Sequence, residues 1–171
     1  KPAIRPPVQV LLPRPTRGLA MQAAEEVQKR SKCRSGVKTV AVYGGAPIDR
    51  QIARLGQGAN FVIGTPGRVM DHIRRETLKL DTLKLVILDE ADEMLDLGFL
   101  PDVETLLSRV PENRPTMLFS ATMPGPVVAL ARPLLVQPPP LRAQDPDAQN
   151  PPDAPATPDI HRPHALHQLT A

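Results

Sequence analysis

The sequence of 171 residues has very few aromatic side chains and a single cysteine. Aromatic residues make up 2% of it, and tryptophan is absent. A hydrophobic core must therefore be aliphatic, and the hydrophobic content of 41% can supply one. Because one cysteine cannot form an internal disulfide, Cys33 excludes a cross-linked secreted fold and indicates a reducing compartment.

Long apolar runs are also missing. No run approaches the roughly 20 residues that a membrane-spanning helix needs. The apolar segment at residues 8–12 is too short for a signal peptide. We therefore expect a cytoplasmic protein that has no membrane partner.

Proline is abundant, and its distribution divides the chain. Ten of the 22 prolines lie in residues 133–171, five lie in the first fifteen residues, and seven lie between. Residues 1–132 hold 19 Lys and Arg against 14 Asp and Glu, whereas residues 133–171 hold 2 against 4. The middle is the expected globular part, and its mild basic excess is compatible with a polyanionic partner.

Short β-rich segments alternate with helical segments through the globular part. The predicted strands are 8–12, 38–45, 59–65, 83–90 and 116–120, and the predicted helices are 18–30, 47–55, 66–75, 100–109 and 126–135. This alternation is typical of an α/β fold in which helices cover both faces of a parallel sheet. Sites in such folds form at the carboxyl ends of the strands.

Each predicted strand ends in a distinctive polar or glycine-rich segment. In chain order these segments are PRPTRG, GGAP, TPGR, DEAD and SAT. Alone, each has an ordinary structural explanation; TPGR, for example, also predicts a helix start capped by Thr65. Together, at successive strand ends, they favour a functional site.

Acidic residues crowd the end of the fourth predicted strand: Asp89, Glu90, Asp92, Glu93 and Asp96. A helix would place all but Glu90 on one face, and acids are favoured in a first helical turn. A carboxylate at a strand end can instead hold Mg²⁺, and a neighbouring Glu can polarise an attacking water. We interpret Glu93 and Asp96 as solvated helix acids, and Asp89 and Glu90 as a candidate metal and water site.

The five segments resemble, in order, motifs of the DEAD-box ATP-dependent RNA helicases. DEAD at 89–92, between VIL and EMLDLGF, resembles motif II. PTRGLA at 15–20 resembles motif Ia, YGG at 43–45 the glycine doublet, TPGR at 65–68 motif Ib, and SAT at 120–122 motif III. The resemblance covers about residues 8–137 and implies part of the family's first RecA-like domain.

The resemblance implies a role for each matching residue. Asp89 would coordinate Mg²⁺, and Glu90 would activate the water that attacks ATP. Asp92, Ser120 and Thr122 would couple the nucleotide site to strand separation. The residues that would contact the RNA backbone, without reading bases, are Thr16, Arg17, Gly45, Thr65 and Arg68. ATP and Mg²⁺ are the implied cofactors, and RNA is the implied partner.

The sequence departs from the family pattern at several points. No Gly-Lys pair of a phosphate-binding loop occurs, so we expect no measurable ATPase activity from the isolated chain. We also expect the sheet to lack the phosphate-loop strand, which would leave residues 116–120 as an unpaired edge. Gly18 replaces the Glu of motif Ia. Pro13 and Arg14 interrupt the apolar strand, because proline cannot donate to a β ladder.

The C-terminal part has no apolar periodicity. We predict a partial RecA-like ATP-binding domain at 1–137, a proline-rich linker at 138–159, and the start of a second helicase domain at 160–171. His161, His164 and His167 belong to that last segment and, without acidic or cysteine ligands, do not indicate a metal site. Three hypotheses stay open: a helicase fragment, a non-catalytic RNA-binding or interaction module, and a non-functional truncated product. The sequence does not indicate an oligomeric state.

Overall fold

The computed structural model describes residues 6–32, 36–111 and 114–134. Cys33, the predicted linker and the three C-terminal histidines lie outside the described residues. The division into three segments therefore stays a prediction. No helix of the described part is long and apolar enough to cross a membrane.

Five strands alternate with helices, as the hydrophobic pattern predicts. The strands are β1 (Val10–Pro13), β2 (Thr39–Val42), β3 (Phe61–Gly64), β4 (Leu85–Leu88) and β5 (Thr116–Leu118). The helices are α1 (Arg17–Arg30), α2 (Ile48–Gly56), α3 (Pro66–Arg74), α4 (Ala91–Asp96), α5 (Leu100–Ser108) and α6 (Gly125–Ala131), followed by a 3₁₀ turn at Arg132–Leu134. Helix α4 is too short to show a helical period of its own in the sequence.

All strand pairs are parallel, and the strand order is β2-β3-β1-β4-β5. Alternate strand residues bury opposite faces of the sheet. The larger core cluster contains Leu11 and Val62 and is completed by side chains from α2 to α6. The smaller cluster packs Ile63 and Leu12 against α1. The predicted α/β sheet with helices on both faces is confirmed.

The prediction that Pro13 breaks the first strand is wrong on one side of β1 only. On the β3 side the ladder continues to Pro13, and the Arg14 amide donates to the Gly64 carbonyl at 2.9 Å. Because amides alternate along a strand, the missing Pro13 donor faces β4. The described pairing of β1 with β4 stops earlier, at Leu11.

Strand β5 forms one edge of the described sheet, next to β4. Its hydroxyl-bearing residue Thr116 is only 3% exposed, and its Oγ1 atom has no hydrogen-bond partner among the described residues. The sequence predicted this edge position for residues 116–120. Strand β5 also carries the partly exposed apolar side chain of Met117. Another strand can pair with an apolar edge of this kind.

Candidate functional site

The carboxyl ends of all five strands meet at one edge of the sheet, because every pair is parallel. The strand order separates two groups of predicted residues along that edge. The ends of β2, β3 and β1 carry the predicted RNA-binding residues. The ends of β4 and β5 carry the acids and the SAT segment. Strand β1 lies between the two groups, so the loop after it can reach both.

The turn after β4 is held in an uncommon conformation. Glu90 has φ 59° and ψ 51°, the left-handed region that residues with a side chain rarely occupy. Neighbouring backbone bonds hold the turn in place: Phe119 donates to the Leu88 carbonyl at 2.7 Å, and Ala91 donates to the Phe119 carbonyl at 3.2 Å. Strained backbone of this kind concentrates at functional sites.

Arg14 pairs with both acids of the predicted metal site. Its Nη1 atom bonds the Asp89 Oδ2 atom, and its Nη2 atom lies 3.4 Å from the Glu90 Oε1 atom. Arg14 is only 9% exposed. The sequence marked Arg14 as an interruption of a strand, whereas in the structure it is the cationic partner of this carboxylate pair.

The Mg²⁺ site that the sequence predicted needs available carboxylate oxygens. In the structure, Arg14 already bonds Asp89 and faces Glu90. Across residues 6–32, 36–111 and 114–134, no three His, Cys, Asp or Glu side chains form a group that could hold a metal ion. The residues present therefore do not fit Mg²⁺ in this arrangement.

Glu93 differs from the solvated helix acid that the sequence indicated. It is partly buried in the first turn of α4 and lies beside Glu90. Partial burial, followed by the hydrogen bond and the charge of Glu90, raises the pKa of the Glu93 carboxyl. Asp96 is exposed, as predicted. The acidic site thus gathers three carboxyls, two of which contact the Arg14 guanidinium.

Asp92 joins α4 to the segment after β5. Its Oδ2 atom accepts hydrogen bonds from the Thr122 amide and hydroxyl, both at 2.8 Å. Its amide donates to the Ser120 Oγ atom at 3.0 Å. Burial acts to raise the pKa of Asp92, but hydrogen bonds, foremost those from Thr122, outweigh burial and leave that pKa below its ordinary value. The three predicted coupling residues are therefore in direct contact.

The starts of α1 and α3 place two predicted RNA-binding threonines differently. Thr16 caps α1, and its side chain accepts the Leu19 amide at 3.3 Å. Thr65 occupies the same position before α3, but its side chain makes no capping hydrogen bond. The structural explanation of TPGR as a capped helix start therefore holds for position and not for the Thr65 hydroxyl.

The other predicted RNA-binding residues meet around the loop after β2. The Arg17 guanidinium lies 4.9 Å from the centre of the Tyr43 ring. Gly45 has φ 74°, a conformation that favours glycine. The Arg68 Nη1 atom donates to the Ala46 carbonyl at 3.0 Å, so Arg68 also holds this loop against α3.

Two arginines of α2, which the sequence alone did not indicate, lie beside these predicted RNA-binding residues. A cavity of about 290 Å³ is lined by Arg17, Tyr43 and Gly45 together with Arg50 and Arg54. The two α2 arginines are exposed and lie four positions apart, which places them on one side of the helix. That spacing was the available signal, but it does not reveal which surface the arginines face.

Comparison with known proteins supports the motif assignment. A sequence model of the DEAD/DEAH box helicase family matches residues 3–130. The ATP-dependent RNA helicase CshA of Listeria monocytogenes is 54% identical over 120 residues, which are 70% of this chain and 23% of CshA. The ATP-dependent RNA helicase DeaD of Escherichia coli K12 is 47% identical over 143 residues, which are 84% of this chain and 23% of DeaD.

Two solved structures share the fold. A DEAD box protein from the hyperthermophile Methanococcus jannaschii superposes with a TM-score of 0.70 at 44% identity, covering 74% of this chain and 34% of that protein. The yeast DEAD-box splicing factor Prp28 gives a TM-score of 0.71 at 31% identity, covering 74% and 30%. The chain spans about a quarter of the length of CshA and DeaD. With its motifs in order on a RecA-like sheet, the chain belongs to the DEAD/DEAH box helicase family.

Proposed function

We propose that this chain supplies the RNA-backbone surface and the acidic, coupling half of the first RecA-like domain of an ATP-dependent RNA helicase. The supporting observation is that Arg17, Gly45 and Arg68, which come from three motifs, meet around one arginine-lined loop. Arginines, hydroxyls and glycine-exposed amides suit phosphate and carry no base information. The proposed partner is therefore RNA of any sequence, and the proposed location is the cytoplasm.

The roles in the acidic half follow the family. DEAD-box helicases use ATP with Mg²⁺, and Asp89 and Glu90 stand at the motif that serves this chemistry. We propose them as metal and water residues only for an arrangement in which Arg14 no longer contacts them. Asp92, Ser120 and Thr122 are proposed to pass the state of the nucleotide site to the RNA surface. Their direct hydrogen bonds support this role, because a hydrogen-bond network is one of the structures that can carry coupling between two sites. We propose ATP-dependent unwinding of RNA duplexes only for the full-length protein.

RNA binding by the 171-residue chain tests the proposal. We expect single-stranded RNA of unrelated sequences to bind alike, with affinity that falls steeply as salt rises. Arg17→Ala should weaken binding several-fold. Arg74→Ala is the matched control, because Arg74 is an exposed arginine at the opposite end of α3 and should bind RNA like the unchanged chain. Equal affinity of both variants and the unchanged chain would remove the proposal.

A second candidate function is a non-catalytic RNA-binding module. The ion pair of Arg14 with Asp89 and Glu90 favours it, because the acids expected to handle metal and water are already engaged. This candidate predicts RNA binding without ATP turnover. RNA-stimulated ATP hydrolysis by the 171-residue chain, abolished by Glu90→Gln, would exclude it. A thermal melt without a cooperative transition would instead favour a non-functional truncated product.

A further inference from the structure

We propose that the Arg14 guanidinium is a resident cation that excludes a divalent metal ion from the Asp89–Glu90 pair. The proposal starts from one contact: a guanidinium lies between two carboxylates that follow β4, 75 and 76 positions further along the chain. A guanidinium stays charged at any pH a protein tolerates. Loss of the arginine proton therefore never frees the two carboxylates for a metal ion.

The backbone holds Arg14 at a strand end from which its side chain reaches the acids. Its amide donates to the Gly64 carbonyl, which fixes the residue at the end of β1. Pro13 before it has a locked φ, and Pro15 after it biases Arg14 towards extended backbone. Strand β1 is the neighbour of β4, so the two strand ends lie side by side. The backbone of Arg14 is therefore fixed beside the strand end that carries the two acids.

Magnesium and the guanidinium compete for the same carboxylate oxygens. Mg²⁺ binds carboxylate oxygens directly, at about 2.0–2.1 Å in octahedral geometry. The Oδ2 atom of Asp89 and the Oε1 atom of Glu90 are the atoms that face Arg14. A divalent ion placed there would also be repelled by the positive charge of Arg14. Occupancy by one cation thus excludes the other.

The contact is not a well-satisfied structural ion pair. A buried pair stabilises a fold only when its remaining polar atoms are also bonded. Here the Arg14 Nε atom and the Glu90 Oε2 atom are buried without a hydrogen-bond partner among the described residues. Glu93 adds a third carboxyl beside Glu90. Removing the guanidinium would therefore leave the Asp89 and Glu90 carboxylates without their cation.

Manganese binding, measured by electron paramagnetic resonance on the 171-residue chain, tests the proposal with the metal alone. We expect the unchanged chain to bind Mn²⁺ no better than Asp89→Asn. Arg14→Ala should bind Mn²⁺ at least ten-fold more tightly. The double variant Arg14→Ala, Asp89→Asn should lose that gain, and Arg14→Lys, which keeps the charge, should bind weakly like the unchanged chain.

A measurement on the unchanged chain can overturn the proposal even if Arg14→Ala does not fold. Mn²⁺ binding by the unchanged chain that Asp89→Asn removes would overturn the proposal, since Arg14 would not then exclude metal. A folded Arg14→Ala without a gain in affinity would overturn it too. If Arg14→Ala folds poorly, we expect Mn²⁺ to raise its melting temperature and to leave that of the unchanged chain unaltered. RNA plays no part in these measurements, so the proposal can fail or succeed separately from the proposed function.

Discussion

Single residues decide the character of the acidic site. Asp89 ends a buried strand, Glu90 turns the chain in the left-handed region, and Asp92 receives two hydrogen bonds from Thr122. Three neighbouring acids therefore have three different environments. Any difference in their chemistry depends on these environments, because the side chains themselves are chemically alike. Arg14 gives the first two acids their cation.

At the residue scale, Gly18 offers a stabilising substitution. It is the second residue of α1, it is exposed, and a Cβ atom added there would meet nothing within 4 Å. Gly18→Ala should raise the free energy of unfolding by about 0.5–1 kcal/mol, because alanine loses less backbone entropy in a helix. Urea denaturation measures this. Gly98→Ala, at φ 77°, is the contrasting control and should lower stability.

Elements are fitted together through close approaches that particular residues permit. The clearest is at Gly64, the last residue of β3, which pairs with Val42 of β2. A Cβ atom there would lie 2.1 Å from the Val42 carbonyl oxygen. The sheet therefore requires glycine at this strand end, directly before Thr65 and α3. The position of the TPGR segment depends on that pairing.

At the element scale, Gly64→Ala should separate β2 from β3. We expect a loss of about 2–3 kcal/mol of unfolding free energy, the upper range for overpacking, because the contact is with backbone that cannot rotate away. Chemical denaturation monitored by circular dichroism measures the change. Gly44→Ala, where an added Cβ atom has no neighbour within 4 Å, should be near neutral. Equal stability of the two variants would contradict this account of the sheet.

Helix α2 is expected to bind RNA through Arg50 and Arg54. Both line the cavity that Arg17 and Tyr43 share. The double variant Arg50→Ala, Arg54→Ala should weaken RNA binding several-fold and should flatten its salt dependence, because two cations no longer displace counterions. A salt titration of RNA affinity measures both effects. An unchanged salt slope would show that the RNA path does not reach α2.

At the scale of the whole molecule, a buried series of hydrogen bonds connects the loop after β2 with α2 and α3. Gln51 donates to the Tyr43 carbonyl at 3.0 Å, and its Oε1 atom lies 3.1 Å from the His72 Nε2 atom. The His72 Nδ1 atom lies 2.8 Å from the Thr77 hydroxyl. His72 is fully buried. The loop after β2, α2 and α3 are thus joined by hydrogen bonds through both ring nitrogens of His72.

At the scale of the whole molecule, acid should weaken the fold through His72. Burial, followed by the charge of Arg68, lowers the pKa of His72. The unfolded chain therefore takes up a proton on His72 more readily than the folded chain does. The contribution of His72 to stability is fully present above about pH 6.5 and is lost as pH falls through the lower pKa of the folded state. Melting temperatures from pH 7.5 to pH 5 measure the loss. In His72→Gln this loss should shrink, and an identical pH profile in both proteins would contradict the prediction.

Local pattern alone determined the parts of this protein that depend on neighbours in the chain. Hydrophobic period set the strands and most helices, and the parallel sheet follows because each helix returns the chain to the same edge. The motifs and their order identified the family and placed Asp92 with Ser120 and Thr122. The sequence shows that Pro13 lacks an amide donor, but it does not show which neighbouring strand that position faces.

Tertiary structure alone decided which distant side chains meet. Arg14 and Asp89 are 75 positions apart, and their contact exists only because β1 lies beside β4. The same holds for Arg17 over Tyr43, for the α2 arginines, and for Gln51 with His72. A sequence pattern reports the face and the period of each element, but strand order sets which strand ends share a site. For this reason the carboxylates were predictable, and the cation between them was not.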